Sequence, residues 1–282
     1  MRNLAWESNL LLKIGIKSGE LLLISAPNII KDIKVYKLIL DEKNQFIVRV
    51  SDNIPLIKKI YYKQKYINRN IEIVPNQLKY FIVENLAFVI EEFIEGSLVT
   101  PENKQLLDIE KVGSSLSRLH QCTTNLYSSK FIKYKTLNLI NELLKNVKLD
   151  FTCEHIHSVE NAFKYLQALD QSFFAQLAHE DISHNLLNQK NEYKFIDFEH
   201  NRNISSWFDL ADLIDEYGLD NKERERLIKS YILKTAYNSY SVVDKIVQIF
   251  LLIKIIREIH IFKNNIEIKN LYLSKLNSYI RS

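Results

Sequence analysis

The stretch LAHEDISHNLLNQKNEYKFIDFEH, residues 177–200, holds the most informative group of polar side chains in the chain. Histidines, carboxylates and asparagines surround a short apolar run, YKFIDF, whose pattern is typical of a β-strand. Three kinds of site use such residues: a metal site, a hydrolytic triad and a phosphoryl-transfer site. The spacing of the residues distinguishes them.

Two of these interpretations fail on spacing. His179 and His184 are separated so that both rings do not lie on one face of a helix, as an HExxH zinc site requires. A serine hydrolase of the GxSxG type is excluded because that motif occurs nowhere in the sequence, and Ser183 lies in a polar turn without a glycine. Phosphoryl transfer is the interpretation that remains.

Phosphoryl transfer needs three groups in a characteristic order. A carboxylate lies near the acceptor hydroxyl, and an amide and a second carboxylate hold magnesium against the triphosphate. Asp181, Asn185 and Asp197 supply these groups in that order. The strand YKFIDF would end near Asp197 and point it toward a cleft, with Phe195 and Phe198 packed beside it. We therefore expect Asp181 and Asp197 to converge across a gap that accommodates a divalent ion and a phosphate.

Composition places the chain among globular proteins. It has 282 residues, 46% of them hydrophobic and 26% charged, which is enough for one large domain or two lobes with separate cores. The net charge of +4 is a weak bias, and no basic stripe with interleaved aromatic residues predicts a nucleic-acid partner. Cys122 and Cys153 lack the spacing of a zinc site or a disulfide framework. Charges interrupt the longest apolar segment, residues 246–262, so we expect a core helix, no membrane span and a cytoplasmic protein.

Periodicity divides the chain into two parts and predicts an α+β fold. Runs rich in β-branched and aromatic residues predict strands, two of which form a hairpin around DEKN. The strands cover residues 20–25, 33–40, 45–50 and 86–93. A helix that begins near Pro55 lies among them, and helical periodicity dominates after Gly96. The later helices cover residues 100–121, 137–149, 158–169, 221–234 and 242–262, with Thr100 as the N-cap of the first.

The two parts predict two domains. A β-rich lobe, residues 1–94, is joined at EEFIEG to a helical lobe, residues 95–282. A cleft at that joint is the natural place for a ligand.

Several segments together resemble the aminoglycoside phosphotransferase and choline kinase superfamily. His179 and Asp181 match its HxD loop, and FIDFEH with Asp197 matches its IDFE strand. WFDLADLIDEYG is similar to the helix that follows, VIEEFIEG to the hinge, VGSSLSRLHQ to the next helix, and FIVRV to the strand that carries a phosphate-contacting base. In order, the segments span residues 33–218, and an arginine in FIVRV favours the choline kinase branch.

The resemblance implies a two-lobed protein-kinase-like fold with a small antiparallel-sheet N-lobe and a larger, mainly helical C-lobe. It implies ATP and magnesium as cofactors and a small-molecule alcohol as substrate. Asp181 would be the catalytic base, and Asp209 would anchor the HxD loop or cap its own helix. The residues implied for the cofactors are Asn185 and Asp197 for magnesium, Arg49 for the inner phosphates, and the backbone of Glu92, Phe93 and Ile94 for adenine.

The sequence departs from the family pattern in the HxD loop. The family places its asparagine five residues after the catalytic aspartate, whereas Asn185 comes four residues after Asp181. His184 or Asn188 could therefore take the place of Asn185 on the metal.

The N-lobe departs from the pattern twice. No glycine occurs between Gly19 and Gly96, so the phosphate-covering loop, predicted at residues 25–32, cannot bring bare backbone against phosphate. No acidic residue occurs from residue 53 to 70, so the helix carboxylate that should pair with Arg49 is absent, and Gln64 is the expected substitute.

The acceptor stays open between choline, ethanolamine, thiamine or a related amino alcohol and an aminoglycoside antibiotic. An antibiotic would use an acidic rim, and choline would use an aromatic cage, for which Trp207, Tyr217 and other tyrosines are available. Glu199, His200 and Trp207 lie where acceptor specificity is often set. The candidates for the acidic rim are Asp212, Asp215, Glu216 and Asp220. A catalytically weak pseudokinase that serves as a binding or scaffold protein is the alternative to an enzyme.

Overall fold

The computed structural model describes residues 11–12, 19–25, 33–147, 151–190, 192–198, 202–235, 237 and 239–281. Chain contacts group the protein into two compact units. The N-terminal unit comprises residues 1–97 and 189–199, and the C-terminal unit comprises residues 98–188 and 200–282.

The N-terminal unit is built on a five-stranded antiparallel sheet with the order β1-β2-β3-β5-β4. Its strands are β1 (Glu20–Ser25), β2 (Lys34–Ile39), β3 (Gln45–Ser51), β4 (Gln77–Val83) and β5 (Leu86–Glu92). The four predicted strands are confirmed, whereas β4 was not predicted. Its sequence, QLKYFIV, is rich in aromatic and β-branched residues, so the signal for this strand was present and was overlooked.

The predicted hairpin is formed by β2 and β3. Ile39 pairs with Gln45, and the Asp41 carboxylate accepts hydrogen bonds from the backbone N–H groups of Lys43 at 2.9 Å and Asn44 at 2.8 Å. An aspartate that bonds its own turn in this way explains why DEKN reverses the chain without glycine.

Helix α1 (Ile54–Asn68) packs on one face of the sheet. Asn53 caps it by accepting the N–H of Leu56, and Pro55 lies in its first turn, as predicted. Ile57 and Ile60 contact Ala87 and Val89 of β5. Side chains alternate along a strand, so β5 residues of the same parity as Val89 also face α1. The buried cluster on the other face is Tyr36, Leu38, Val48, Val50 and Phe88.

Three short strands form a second sheet in the order β6-β7-β8: β6 (Ser97–Val99), β7 (Leu186–Gln189) and β8 (Glu192–Phe195). Strand β8 ends two residues before Asp197, and Phe195 and Phe198 are buried on either side of that carboxylate.

The C-terminal unit is helical. Its helices are α2 (Ile109–Thr123), α3 (Ser129–Val147), α4 (Cys153–Ala168), α5 (Trp207–Glu216), α6 (Asn221–Ile232), α7 (Tyr240–Ile261) and α8 (Ile266–Arg281). The antiparallel sheet and these helices confirm the predicted fold class. In the part of the chain that the structure describes, no helix is both long and apolar enough to span a bilayer.

The predicted single helix from Thr100 to Gln121 is wrong. Residues Pro101–Leu106 form a 3-10 helix, Leu107 is extended, and a new helix begins after Asp108. Asp108 interrupts the pattern because its carboxylate accepts the N–H of Lys111 and so caps α2. The apolar stripe that starts at Ile109 belongs to α2 alone.

Helices α2 and α6 pack closely at Gly113. A Cβ at this position would collide with the Ser230 hydroxyl and would lie 2.8 Å from the carbonyl oxygen of Leu227. The absence of a side chain at Gly113 therefore sets how closely α6 can approach α2.

We expect Gly113→Ala to lower the free energy of unfolding by about 1–2 kcal/mol, because overpacking outweighs the helix propensity that alanine gains. Urea denaturation measures this change. Arg118→Ala on the exposed face of the same helix is the control and should unfold like the parent protein. A Gly113→Ala protein as stable as the parent would contradict the close packing.

Candidate functional site

The HxD loop of the C-terminal unit is held by one buried carboxylate. Asp209, in the first turn of α5, accepts the backbone N–H of His179 at 2.6 Å and that of Glu180 at 2.8 Å. It is 0% exposed, and Nε2 of His120 lies 2.8 Å from its Oδ2. The predicted anchoring role of Asp209 is confirmed.

The charge of Asp209 survives burial because of its hydrogen bonds. Burial alone would raise the pKa of Asp209, but the hydrogen bond and charge of His120, followed by the contacts with His179, hold that pKa below its usual value. Nδ1 of His120 lies within hydrogen-bond distance, 2.9 Å, of the hydroxyl of Tyr231. His120 was not predicted as part of the site. A lone histidine on the apolar face of SLSRLHQ was its only signal in the sequence.

The shortened loop brings Asn185 to Asp181. The Nδ2 group of Asn185 donates to the backbone carbonyl of Asp181 at 2.7 Å and to Oδ2 of its carboxylate at 3.0 Å. Because the amide nitrogen is used in these bonds, Oδ1 of Asn185 is the atom left to act as a ligand.

The two alternatives to Asn185 lie in other contacts. His184 is exposed, with Nε2 4.0 Å from a carboxylate oxygen of Glu216. Asn188 donates to the carbonyl of Leu106 at 3.5 Å. Neither side chain contacts Asp181 through these bonds, and the assignment of Asn185 to a metal stays a prediction.

The buried lysine Lys254 neutralises two carboxylates of the acidic segment DLIDEYGLD, those of Asp212 and Glu216. Lys254 of α7 is 4% exposed and donates to Asp212 at 2.9 Å and to Glu216 at 2.7 Å. Burial alone would lower the pKa of Lys254, but Asp212 and Glu216 raise it above its usual value. The other oxygen of Asp212 accepts the N–H of Ser183 at 3.0 Å, so this ion pair also braces the HxD loop.

The predicted acidic rim is therefore wrong as a free binding surface. Asp212 and Glu216 pair with Lys254, and Asp215 pairs with Lys275 at 2.7 Å. The fourth carboxylate, that of Asp220, caps α6.

The two residues named for an aromatic cage, Trp207 and Tyr217, do not form one. Trp207 is 0% exposed and donates its indole N–H to the carbonyl of Phe173 at 2.7 Å. The hydroxyl of Tyr217 lies 2.8 Å from the carbonyl oxygens of both Val99 and Ser183. Both rings serve packing and hydrogen bonding inside the C-terminal unit and are closed to a ligand.

In the N-terminal unit, Arg49 joins two carboxylates. Its Nε donates to Oε1 of Glu91 at 2.9 Å, and its Nη1 donates to Oδ1 of Asp197 at 2.6 Å. Gln77 donates to the other oxygen of Glu91 at 2.7 Å. Arg49 is 4% exposed and Glu91 is 1% exposed, so the pair is a buried, charge-assisted contact.

Glu91 is the partner that the sequence analysis missed. It shares the parity of Ala87 and Val89 on β5, the face that packs on α1, and this alternation was its signal in VIEEF. The prediction that Gln64 replaces the helix carboxylate is wrong. Gln64 is 0% exposed, and within the described residues neither atom of its amide has a hydrogen-bond partner.

Two residues of the predicted motifs have a left-handed backbone. Glu180 has a φ of +83° and Asp197 has a φ of +63°. Residues other than glycine rarely adopt such values, which cost about 1–3 kcal/mol each and persist where surrounding contacts enforce them. Glu180 is enforced from both sides, since its N–H meets Asp209 and its carboxylate accepts the N–H of Arg202 at 2.7 Å.

The predicted adenine-contacting segment ends β5. The N–H of Glu92 donates to the carbonyl of Asn76 at 2.9 Å and is not available to a purine. The ring of Phe93 lies under Nζ of Lys37 at 3.9 Å, and Ile94 is 9% exposed. Contact of this segment with adenine stays a prediction.

Some of the predicted site residues lie outside the part of the chain that the structure describes. Positions 26–32 of the phosphate-covering loop, together with Glu199 and His200, lie outside the described residues. Among the residues that the structure does describe, no group of three or more His, Cys, Asp or Glu side chains could hold a metal ion.

Asp181 and Asn185 belong to the C-terminal unit, whereas Arg49 and Asp197 belong to the N-terminal unit. The convergence of Asp181 with Asp197 stays a prediction.

Comparisons with solved structures identify the fold. The GDP complex of aminoglycoside 2'-phosphotransferase-IIIa matches with a TM-score of 0.68 at 10% identity, over 100% of this chain and 99% of that chain. A choline/ethanolamine kinase family protein from Mesorhizobium loti matches with 0.68 at 13% identity, over 99% and 95%. The Plasmodium vivax ethanolamine kinase matches with 0.60 at 18% identity, over 97% and 84%.

No protein-family model matches the sequence, and no curated protein sequence does. The solved structures confirm that the chain has the fold of the aminoglycoside phosphotransferase and choline kinase superfamily.

We expect Asp209→Asn to lower the free energy of unfolding by about 3 kcal/mol at pH 7, because an amide cannot accept both loop N–H groups and His120 equally well. Since folding lowers the pKa of Asp209, the advantage of the parent protein should be present above about pH 4 and lost as the pH falls through the lowered value. Urea denaturation at several pH values measures both effects.

Asp220→Asn is the matched control for this substitution. Asparagine caps helices as well as aspartate, so its unfolding midpoint should not change. Equal stability of the Asp209→Asn and Asp220→Asn proteins would disprove the anchoring role.

We expect Gln64→Met to leave the free energy of unfolding unchanged or to raise it by up to about 2 kcal/mol, because the substitution removes a buried amide without partners. Gln77→Met is the control, since it removes a donor to Glu91 and should cost about 1–3 kcal/mol. Denaturant unfolding compares the two variants. If Gln64→Met costs as much as Gln77→Met, Gln64 has a structural partner after all.

Proposed function

We propose that this chain is a magnesium-dependent kinase that transfers the terminal phosphoryl group of ATP to the hydroxyl of a small molecule. The observation that carries the proposal is the contact between Arg49 and Asp197 at 2.6 Å. Phosphoryl transfer needs a cation for the phosphates beside a carboxylate for the metal, and this partly buried pair supplies both.

Asp181 would orient the acceptor hydroxyl and take its proton. Its hydrogen bond from Asn185 restrains the carboxylate, which lowers the entropy lost when the acceptor binds. The anchoring of His179 and Glu180 by Asp209 supports this role, because it fixes the backbone on which Asp181 is carried.

The donor atoms fit magnesium. The amide oxygen of Asn185 and the carboxylate of Asp197 are hard oxygen ligands, which magnesium prefers, and phosphate oxygens would complete a set that the described residues alone do not supply. When bound, the ion spreads the negative charge of the transferring phosphoryl group. Arg49, held by Glu91, would steady the inner phosphates.

The acceptor proposed is a small amino alcohol such as choline, ethanolamine or thiamine. The similar structures include an aminoglycoside phosphotransferase, an ethanolamine kinase and a choline/ethanolamine kinase family protein. Aminoglycosides, choline and ethanolamine are all alcohols that carry amine or ammonium groups. The ion pairs of Asp212 and Glu216 with Lys254 weigh against an aminoglycoside held by that segment. The burial of Trp207 weighs against a choline cage built on it.

We expect magnesium-dependent phosphorylation of at least one acceptor in a panel of choline, ethanolamine, thiamine and an aminoglycoside, with ATP and GTP each tested as donor. Asp181→Asn should lower kcat by about 10²–10⁴ because it removes the base. Asp170→Asn, an exposed carboxylate that caps a short helix in the same unit, is the control and should keep parental turnover.

Turnover by the parent protein no higher than that of Asp181→Asn would defeat the enzymatic proposal. A thermal-shift measurement with magnesium and ATP then distinguishes the alternatives. A nucleotide-binding pseudokinase is stabilised by mass action without turnover, and a scaffold without a nucleotide site is not stabilised.

A further inference from the structure

The N-terminal unit contains a polar cavity of about 480 Å³ at the end of α1. It lies among the last turn of α1, the start of β4, the end of β5 and strand β8. Glu92 and Ile94 of the predicted adenine-contacting segment line it, whereas Arg49 and Asp197 do not. The residues that line it include Lys65, Arg69, Gln77, Glu92 and Lys194. A volume of this size is typical of sites for small molecules.

Gln77 presents a buried acceptor to the cavity. It is 5% exposed, and its Nε2 donates to Glu91 at 2.7 Å. The amide group is planar, so its Oε1 points away from Glu91. Within the described residues this oxygen has no hydrogen-bond donor. Buried carbonyl oxygens are nearly always bonded, so the site calls for an N–H or O–H group from an occupant.

The other charged groups favour an occupant with both signs of charge. Lys65 donates to the neutral hydroxyl of Tyr61 at 2.8 Å, which leaves its positive charge unbalanced, whereas Lys194 donates to a backbone carbonyl and also pairs with Glu192 at 3.7 Å. Arg69 adds a third cation at the end of α1. Glu92, whose carboxylate accepts a backbone N–H at 3.3 Å, adds an anion.

We propose that this cavity binds a small zwitterion of the amino-acid type. Its carboxylate would pair with Arg69 and Lys65, since guanidinium groups bind carboxylates with two parallel hydrogen bonds. Its ammonium group would donate to Oε1 of Gln77 and to Glu92.

An occupant of the cavity is connected to the Arg49 pair through successive side chains. Gln77 donates a hydrogen bond to Glu91 at 2.7 Å. Arg49 donates to Glu91 at 2.9 Å and to Asp197 at 2.6 Å. A donor on Oε1 fixes the orientation of the Gln77 amide and therefore its bond to Glu91. The zwitterion thus regulates the affinity for nucleotide, a step that rests on the proposed function, whereas the binding site itself does not.

Isothermal titration calorimetry of the full chain, without nucleotide or magnesium, tests the site. The probes are glycine, β-alanine and 4-aminobutanoate, and acetate and ethylammonium serve as probes with one charge. We expect saturable binding of at least one zwitterion and none of either single-charge probe. Arg69→Gln and Glu92→Gln should each weaken that binding at least tenfold. Lys58→Gln, an exposed charge on the same helix outside the cavity, should not change it.

The site is disproved if none of the three zwitterions binds, if acetate or ethylammonium binds as tightly as they do, or if Arg69→Gln binds like the parent protein. The coupling is tested by the Kd of magnesium ATP with and without saturating zwitterion, where we expect a change of about fivefold or more. An unchanged Kd would overturn the coupling and leave the site. Zwitterion binding without any nucleotide binding would overturn the proposed function and leave the site.

Discussion

The buried carboxylate of Asp209 is the constraint on which the HxD loop depends. One side chain satisfies two consecutive backbone N–H groups and a histidine, all inside the C-terminal unit. Such hydrogen bonds to a charged acceptor contribute about 1.5–3 kcal/mol each. The two from the loop together contribute about 3–6 kcal/mol, which offsets the cost of about 1–3 kcal/mol for the left-handed backbone at Glu180. The loop can therefore hold a backbone conformation that residues other than glycine disfavour. Asp181 is the next residue after Glu180, so its position depends on this conformation.

In the N-terminal unit, ion pairs stabilise a buried arginine. A buried arginine is stable only when it is paired, and Arg49 has Glu91 from the neighbouring strand as well as Asp197 beyond β8. Glu91 fixes the guanidinium to the sheet, so Asp197 is not needed to hold Arg49 in place. The arrangement gives Arg49 a fixed position even though α1 carries no acidic residue.

The sequence predicted what is local in the chain and missed what depends on partners distant along it. The hairpin at DEKN and the start of α1 near Pro55 are readable because each depends on a few adjacent residues. Lys254 shows the opposite case. It interrupts the apolar run FLLIKIIREIH, and nothing near it in the sequence indicates that it neutralises Asp212 and Glu216 of another helix.

Glu91 and Asp108 show the same limit at smaller scale. Strand parity could place Glu91 on the α1 face, but only the register of β3 against β5 brings it to Arg49. The break before Asp108 was hidden because the 3-10 turn of residues 101–106 continues an apparently helical pattern, while Leu107 turns extended. Both corrections come from tertiary structure that overrides a local pattern.

A crystal structure of the full chain with magnesium and a non-hydrolysable ATP analogue tests whether Asn185 and Asp197 hold the metal. We expect one cation bound by Oδ1 of Asn185 and a carboxylate oxygen of Asp197, each at about 2.0–2.1 Å, with Arg49 on the inner phosphates. A cation held by other side chains, or a nucleotide bound away from Asn185 and Asp197, would contradict it.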